Sequence, residues 1–413
     1  MNKILSRFYV YLFLTVTAIA LIVMAGCGDA ANNGTAIHAG TISPLPSPAT
    51  DSCGEPYLFT DKKGLVHLSW IEKKGKTYQL RFSTFKDQQW TTSISIAEGE
   101  NWFVNWADYP VISGDGESHL FAHFLEKSDS GAYTYDVKYV TSADRGTTWT
   151  SPKLLHNDGK KAEHGFVSVI PYGDKYFVSW LDGRNTGDAS SSAHEAHHGQ
   201  MSLRAALISM NGNKEKEWEL DDKVCDCCQT TITTCAEGPV VIYRDRTDAE
   251  IRDLGLVRMV SGEWSKPGIV SADNWKIEGC PVNGPRTEAI GTDLGVAWFT
   301  VKNDTGEVKL AFSGNGGKSF GIPIKVSESN ANGRVDMVLL DKATAIVSWM
   351  EGSVIKAAKI HKDGTKDASV VVAESSEARS AGFPQMTKSG SGLMFAWTDN
   401  KSKSIKIASM ELR

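Results

Sequence analysis

Val66-His-Leu-Ser-Trp70 is one copy of a short run of alternating apolar residues that ends in an aromatic residue, and the recurrence of this phrase decides the fold. Period-two patterning of this kind indicates β-strands. The other copies are Leu120-Phe-Ala-His-Phe124, Tyr176-Phe-Val-Ser-Trp180, Val240-Val-Ile-Tyr243, Leu294-Gly-Val-Ala-Trp298, Ala345-Ile-Val-Ser-Trp349 and Leu393-Met-Phe-Ala-Trp397. Recurrence about every 50 residues is typical of a propeller or a solenoid rather than of two unrelated domains.

Each copy sits in a larger frame of four strand-like segments. One segment precedes the phrase, one follows it, and an aromatic-led segment closes the frame. The closing aromatic residues of the first five copies are Trp90, Trp149, Trp218, Trp264 and Phe320. We therefore expect most of the tryptophans to pack between blades rather than to bind a ligand.

Seven copies predict an all-β protein with a seven-bladed propeller, or with six blades if one copy is misassigned. No long segment of the mature chain shows the 3.6-residue periodicity of a helix. The last copy, which begins at Phe383, lacks a fourth strand. We expect residues 35–43 to supply it, because a closed ring leaves no free sheet edge.

The start of the chain has the features of an export signal. Lys3 and Arg7 precede an apolar run over residues 8–23, and small residues then lead into Cys27. This flank pattern and length are typical of a secretory signal rather than of a membrane-spanning helix. Residues 28–50 are small, polar and punctuated by proline, which is the composition of a flexible tether.

Met24-Ala-Gly-Cys27 resembles a bacterial lipobox, and this implies that Cys27 is lipidated and becomes the new N-terminus; an uncleaved signal anchor is the alternative. Gly28 resembles the residue found in lipoproteins that are passed on to an outer membrane. We expect a signal peptide over residues 1–26, a lipidated cysteine and tether over residues 27–50, and a propeller over residues 51–413. The expected location is extracytoplasmic, on the cell envelope, with the lipid in a membrane and the outer membrane favoured.

Composition excludes several other classes of protein. The 413 residues are 41% hydrophobic and 9% aromatic, which excludes a collagen-like or globally disordered chain. The net charge is −5, and it becomes −7 when Lys3 and Arg7 leave with the signal peptide. Without a block of Lys or Arg, we expect no nucleic-acid partner.

Two turns carry a motif that identifies the propeller more closely. Ser142-Ala-Asp-Arg-Gly-Thr-Thr-Trp149 matches the Asp-box pattern of the sialidase superfamily, also described by its BNR repeats, and Ser313-Gly-Asn-Gly-Gly-Lys-Ser-Phe320 is a variant at the same place in its repeat. A short acid and a glycine suit a tight turn, because the carboxylate accepts backbone N–H groups and glycine tolerates positive φ. In that superfamily the Asp-box is a structural turn, usually on the face away from the catalytic pocket, so Asp144 is a poor candidate for catalysis.

A second series of segments resembles bacterial sialidase-like lipoproteins with BNR repeats over roughly residues 50 to 410. The segments are Leu181-Asp-Gly-Arg184, Met201-Ser-Leu-Arg204, Cys225-Asp-Cys-Cys-Gln-Thr230, Tyr243-Arg-Asp-Arg246, Glu250-Ile-Arg-Asp253 and Cys280-Pro-Val-Asn-Gly-Pro285. The resemblance implies a sialidase-like propeller and exo-α-sialidase-type hydrolysis. The Arg-Ile-Pro tripeptide that holds the first arginine of the sialidase triad is absent, so the catalytic set of that family is not carried over.

Arginine and acidic residues alternate through the third to fifth repeats. Five of these arginines are expected to bind an anionic ligand such as a glycan, because their forked donors suit carboxylates and phosphates; they are Arg184, Arg204, Arg244, Arg246 and Arg252. Arg286 belongs to the same alternation. Tyr243, Asp245 and Glu250 are the candidates for a reactive role, with Asp182 and Asp253 nearby in the sequence. The alternative is a network of salt bridges that fixes loops between blades.

Six cysteines remain after Cys27, and their even number in an exported protein favours disulfides. A copper or zinc site at Cys225, Cys227, Cys228 and Cys280 is the sharper alternative, although C-x-C-C is not a zinc-finger spacing. Cys53, Cys225 and Cys280 each precede the first strand of a repeat, which places them on one rim. His194, His197 and His198, with Met201, could add metal ligands from a long insertion that equally suits a mobile surface loop.

These observations predict a lipid-anchored propeller that binds an anionic glycan, with sialidase-type hydrolysis implied by the resemblance. The alternatives are a non-catalytic binding module with a cysteine-rich disulfide or metal site, and a scaffold for a partner in the envelope.

Overall fold

The recurring phrase forms the second strand of each of seven antiparallel sheets in a computed structural model that describes residues 40–186 and 199–412. With strands labelled in chain order, these second strands are β3 (Val66–Lys74), β8 (Leu120–Lys127), β12 (Lys175–Asp182), β16 (Gly238–Arg244), β21 (Asp293–Lys302), β25 (Thr344–Glu351) and β29 (Gly392–Asp399). The prediction of an all-β, seven-bladed propeller is confirmed, and the alternative of six blades is wrong.

One inner strand per sheet lines a common axis, and each contacts the inner strands of both neighbouring blades. The inner strands are β2 (Cys53–Thr60), β7 (Ile112–Gly114), β11 (His164–Tyr172), β15 (Thr231–Cys235), β20 (Arg286–Ile290), β24 (Gly333–Asp341) and β28 (Gln385–Ser389). The third strands are β4 (Thr77–Lys86), β9 (Tyr135–Ser142), β13 (Met201–Ser209), β17 (Leu254–Val260), β22 (Thr305–Ser313), β26 (Val354–His361) and β30 (Ser404–Glu411).

The outer edges of the blades are shorter and more varied. They are formed by β1 (Ile42–Leu45), β5 (Gln89–Trp90), β6 (Ile94–Gly99), β10 (Lys153–Leu154), β14 (Lys214–Val224), β18 (Glu263–Trp264), β19 (Gly268–Ser271), β23 (Ile324–Lys325) and β27 (Val370–Glu374). One 3-10 turn, Arg379–Ala381, precedes β28. Within the described parts of the chain, no helix has the length and apolar character needed to cross a bilayer.

The second strands are buried on both faces. Trp70, Trp180 and Trp349 are at most 1% exposed, and the serines that precede them in the phrase, such as Ser179, are buried as well. The alternation in the sequence therefore places large side chains on one face of the strand and small side chains on the other. Both faces are buried against neighbouring blades, so neither set of side chains is exposed to solvent. The expected packing role of these tryptophans is confirmed.

An N-terminal strand closes the ring. β1 pairs antiparallel with β30, with Ile42 opposite Met410 and Leu45 opposite Ile407. The predicted closing segment, residues 35–43, overlaps this strand at its end, and residues 35–39 lie outside the described residues. Residues 42–45 also fall in the segment predicted as tether, so the ordered sheet begins earlier than residue 51.

The two Asp-box turns form the same hydrogen-bonded loop. Ser142 Oγ accepts the amide of Gly146 at 2.9 Å, and Asp144 accepts the amide and the hydroxyl of Thr148 at 2.9 and 2.6 Å. Asn315 replaces the acid in the second turn and accepts the amide of Ser319 at 3.0 Å. A side chain at Gly146, where φ is 83°, would lie 2.3 Å from the Phe82 ring of the preceding blade. The motif thus holds neighbouring blades together.

These turns define two faces of the propeller. The Arg145 amide bonds to the Ser118 carbonyl at 2.8 Å, which places the Asp-box beside the turn that follows an inner strand. We call this end the Asp-box face. The opposite end, where each outer strand leads into the next inner strand, is called the connection face.

Two equivalent tryptophans offer a matched test of the blade interface. The Trp180 indole donates to Asp182 at 2.8 Å, whereas the buried Trp70 indole N–H has no partner. Both Trp→Phe changes remove similar volume, but only Trp180→Phe removes a hydrogen bond to a charged group, which is worth about 1.5–3 kcal/mol. We expect Trp180→Phe to lower the free energy of unfolding in urea by that much more than Trp70→Phe. Equal losses would contradict this assignment.

Candidate functional site

The arginines of the third blade are held by acids of the same blade. Arg184 donates to Asp182 at 2.7 and 2.8 Å and lies 3.2 Å from Asp158. Arg204 donates to Glu217 at 2.9 Å and to Glu219 at 2.7 Å. Each guanidinium already has carboxylate partners in the blade. The structure places both arginines in ion pairs within their own blade, whereas the alternative interpretation of the sequence pattern expected salt bridges between blades.

Arg244 is 2% exposed and serves as a donor to the main chain. Its guanidinium donates to the carbonyls of Asn283, Arg252 and Phe299 at 2.6 to 3.1 Å. The same group lies 5.0 Å from the centre of the Trp275 ring. Because its donors are occupied by three backbone carbonyls, Arg244 ties a long connection to blades on either side.

Arg246, Glu250 and Arg252 form a cluster on the connection face. Arg246 bonds to Asp226 at 2.9 Å and to Glu250 at 3.0 Å, and Arg252 bonds to Glu250 at 2.5 Å. Burial raises the pKa of Glu250, but the hydrogen bonds from the two arginines outweigh it and lower that pKa overall. Glu250 is therefore held as a carboxylate.

Tyr243 and Asp245 lie beside this cluster but face different neighbours. The Tyr243 hydroxyl donates to Asp221, and the side chain is 1% exposed. Burial raises the pKa of Asp245 to about 6. None of the three predicted reactive residues, Tyr243, Asp245 and Glu250, is among the residues that line the cavity of the central channel described next.

A cavity of about 440 Å³ lies in the central channel. Four residues from separate blades converge in it, namely Tyr57, Tyr109, Arg286 and Asp336. The remaining lining mixes apolar residues, such as Val169 and Ile232, with hydroxyl and amide side chains, which include Ser168, Thr230, Thr231, Thr233, Thr387 and Gln385. The volume lies within the range of small-molecule sites.

Arg286 is the cation at the centre of this group. Its Nη2 donates to the Tyr109 hydroxyl, and its Nε lies 3.5 Å from Asp336. Asp336 is itself held by the amides of Met337 and Met386, both at 2.8 Å. Arg286 also makes one long contact of 3.4 Å to the Pro285 carbonyl, so it retains N–H donors for a ligand.

The two ends of the channel are lined differently. On the connection face, Gln229 donates to the Ala107 carbonyl at 2.6 Å and accepts the Gly284 amide at 2.9 Å, which links connections from three blades. Towards the Asp-box face, the side chains of Glu288 and Lys388 are 37% and 41% exposed and pair at 3.2 Å. The Asp-box end therefore carries solvent-exposed charged side chains, whereas main-chain links cross the connection-face end.

The carboxyl groups of Asp108 and Glu163 share a hydrogen bond with one tyrosine hydroxyl at the end of the channel on the connection face. The Tyr135 hydroxyl lies 3.0 Å from Asp108 and 2.9 Å from Glu163, and the Phe166 amide bonds to Asp108 at 2.7 Å. Burial raises the pKa of Asp108 to about 7 and that of Glu163 to about 8. Asp108 lines the cavity, so a carboxyl group that titrates near neutral pH borders the channel.

A histidine pair forms a second polar cluster in the third blade. The His156 and His164 rings stack with centroids 3.5 Å apart, and both contact Asp158, at 3.3 and 2.9 Å respectively. Asp136 lies 3.4 Å from His156. The cluster continues through Asp158 to Arg184, which makes it part of the same ion-pair network.

The six described cysteines are free thiols in the structure, so the expected disulfides are not shown. The Cys225 sulfur lies 3.5 Å from that of Cys228 and 3.9 Å from that of Cys227. A disulfide requires about 2.05 Å. Cys53 bonds to the Thr50 carbonyl, and Cys235 packs in an apolar cluster of another blade. The prediction of disulfides is therefore not supported.

The other predicted metal ligands are divided by the boundary of the described chain. His194, His197 and His198 lie outside the described residues, as do Cys27 and the signal peptide. Met201 begins β13 and is 1% exposed within the third blade.

Sequence reasoning missed Tyr57, Tyr109 and Asp336. Tyr57 and Asp336 follow bulges at the start of inner strands, where the register shifts after Gly54 and Gly333. Bulges of this kind redirect the side chains that follow them. A side chain at Gly333, where φ is 83°, would lie 2.3 Å from Asn283. The glycines at these two positions, Gly54 and Gly333, are the sequence signal that could have indicated the bulges.

Comparisons with solved structures show the fold alone, at identities too low to transfer an activity. A protein of unknown function from Dyadobacter fermentans is 11% identical, with 92% of this chain and 100% of that chain covered and a TM-score of 0.51. Polysaccharide lyase Uly1 is 10% identical, with 87% and 90% covered and a TM-score of 0.52. A mutant of NanB sialidase from Streptococcus pneumoniae is 12% identical, with 89% and 70% covered and a TM-score of 0.46. No family model and no curated protein matches the sequence.

Asp108 makes the stability of the site depend on pH. Folding raises its pKa from 3.8 to about 7, so its stabilising contribution is complete below about pH 4 and is lost as the pH rises through 7. We expect the free energy of unfolding of Asp108→Asn to fall less than that of the unaltered protein between about pH 5 and about pH 8. Urea unfolding at the two pH values measures the difference.

Asp144→Asn is the matched control. The hydrogen bonds from Thr148 and Ser142 lower the pKa of Asp144 to about 2, so its contribution stays constant across that range of pH. This variant should keep the pH dependence of the unaltered protein. An unchanged slope in Asp108→Asn would contradict the assignment of Asp108.

Proposed function

We propose that this propeller binds an acidic saccharide in its central channel, with the acidic group of the sugar at Arg286. The observation that carries the proposal is the convergence of Tyr57, Tyr109, Arg286 and Asp336 in a cavity of about 440 Å³. Arg286 is the one arginine among the described residues that line this cavity.

The lining suits a polyhydroxylated ligand. Ser168, Thr230 and Thr231 place hydroxyl groups in the lining, and a hydroxyl group can both donate and accept hydrogen bonds. The two tyrosine rings, whose centres are 6.2 Å apart, offer apolar surface for a sugar ring. Arg286 supplies the directional donors for a carboxylate or a sulfate.

Burial and pairing reduce the negative charge within the cavity. Burial raises the pKa of Asp108 to about 7, so this acid is partly protonated near neutral pH. Burial raises the pKa of Asp336 to about 6, and the carboxylate that remains at neutral pH lies beside the Arg286 guanidinium. Glu288 is paired with Lys388 towards the Asp-box face. The geometry supports saccharide binding more directly than the hydrolysis that the sequence resemblance implies, because Tyr243, Asp245 and Glu250 lie outside the cavity.

Arg286→Met should weaken the binding of an acidic saccharide by at least tenfold, because it removes the charged donors and keeps the length of the side chain. Sialyllactose and a glucuronate disaccharide serve as probes in calorimetric titrations, with lactose as the neutral comparison. Arg204→Met is the matched control, since Arg204 is paired with Glu217 and Glu219 away from the channel.

Loss of binding in Arg204→Met but not in Arg286→Met would move the site to the third blade and overturn the proposal. Absence of binding to both acidic probes in the folded, unaltered protein would also overturn it. Cleavage of either probe, measured in the same samples, would add an enzymatic activity to the site.

We also propose that Cys27 is lipidated and holds the propeller on the extracytoplasmic side of a membrane, the outer membrane being favoured. The support is the sequence Met24-Ala-Gly-Cys27 behind an apolar run. Cys27→Ser should abolish the incorporation of a labelled fatty acid and release the protein from the membrane fraction. A variant that stays labelled would contradict lipidation at Cys27.

A further inference from the structure

Three cysteines of one connection and a fourth from the next lie together on the connection face. Cys225, Cys227 and Cys228 follow β14, and Cys280 lies between β19 and β20. The sulfur atoms of the first three lie within 4.8 Å of one another. The Cys280 thiol lies within hydrogen-bonding reach of the Cys227 thiol. Residues more than 50 positions apart in the sequence thus form one group.

The sulfur separations fit a shared metal ion. A metal–sulfur distance of about 2.3 Å gives sulfur atoms about 3.8 Å apart in a tetrahedral site and about 4.0 Å apart in a trigonal one. The observed separations from Cys225 are 3.5 Å to Cys228 and 3.9 Å to Cys227. Small shifts of side chains would bring all three into coordination.

The main chain holds the group in place. The Cys225 amide donates to the Arg244 carbonyl at 3.0 Å, and Val224 pairs with Asp245 in an isolated bridge. Arg244 in turn anchors the connection that carries Cys280, through the Asn283 carbonyl. Cys225 and Cys228 are buried, whereas Cys280 is exposed, so an ion can reach the group from the surface.

A second, independent feature points to an anionic cluster. The Arg252 side chain is 4% exposed, and its buried Nε has no hydrogen-bond partner. A buried donor of this kind commonly bonds to the ligands of a metal ion and orients them. Thiolates gathered around a metal would give Arg252 the partner that it lacks.

We propose that Cys225, Cys227, Cys228 and Cys280 bind one thiophilic metal ion, zinc(II) or copper(I). Thiolate ligands select these ions over magnesium and calcium, which require oxygen ligands. Zinc would use all four thiolates in a tetrahedral site, whereas copper(I) is satisfied by the three of the first connection. The ion would cross-link two connections and does not depend on the proposed binding of saccharides.

The test uses the full mature chain, purified without oxygen and offered zinc(II) or copper(I) in the presence of a chromophoric chelator. We expect one ion per chain to remain after desalting, and the number of reactive thiols to fall when the ion binds. Cys228→Ser should lower the affinity for either ion at least tenfold. Cys235→Ser changes a buried cysteine of β15 that lies outside the group, and this variant should bind as the unaltered protein does.

Cys280→Ser tests whether the fourth thiolate is needed to bind zinc(II), copper(I) or both. Because Cys280 is exposed, we expect this variant to fold. If Cys280→Ser loses zinc(II) but retains copper(I), copper(I) is the ion that the other three thiolates hold. If the variant loses both ions, the site requires all four thiolates. Retention of both ions in Cys228→Ser and Cys280→Ser would overturn the proposal. So would failure of the folded, reduced protein to retain either ion, or a native mass that shows disulfides among these cysteines.

Discussion

The structure depends on burying the second strand of every blade from both sides. The two apolar faces of a blade can be buried only against other blades, so each blade needs a neighbour on each side. Only a closed ring provides two neighbours for all seven blades. The small residues beside each tryptophan, such as Ser179, follow from the same constraint, because two large faces would force the blades apart. The central channel is what remains at the axis once the blades have packed.

This constraint explains why the fold could be predicted from the sequence. Each sequence signal used for the fold depends on local turns or on packing between blades. These signals are the phrase that recurs in all seven blades, the Asp-box at Ser142–Trp149 and the missing last strand. The closing strand was predicted within a few residues, although its centre lies later in the chain, at Ile42–Leu45. The disulfides were inferred only from an even count of cysteines, which carries no information about distance or direction.

The site was harder to predict, because a sequence shows which residues are charged but not which partners they choose. Arg184, Arg204 and Arg244 resemble ligand-binding arginines, yet carboxylates and carbonyls of their own and neighbouring blades occupy their donors. Tyr57 and Asp336 are 279 positions apart in the sequence and meet only because the ring closes. Their place depends on bulges in two inner strands, which the pattern of apolar residues does not reveal.

The pairing of the first strand with the last also sets an order for folding. β1 has no partner until the chain has reached Ile407–Met410, more than 360 residues later, so a nascent chain must leave its beginning and its growing end unpaired throughout synthesis. Contacts of such long sequence separation make folding slow, and open strand edges invite aggregation meanwhile. Completion of the ring is therefore a late step in folding, and aggregation can compete with it. Chaperones that shield unpaired β-strand edges would act mainly before this step.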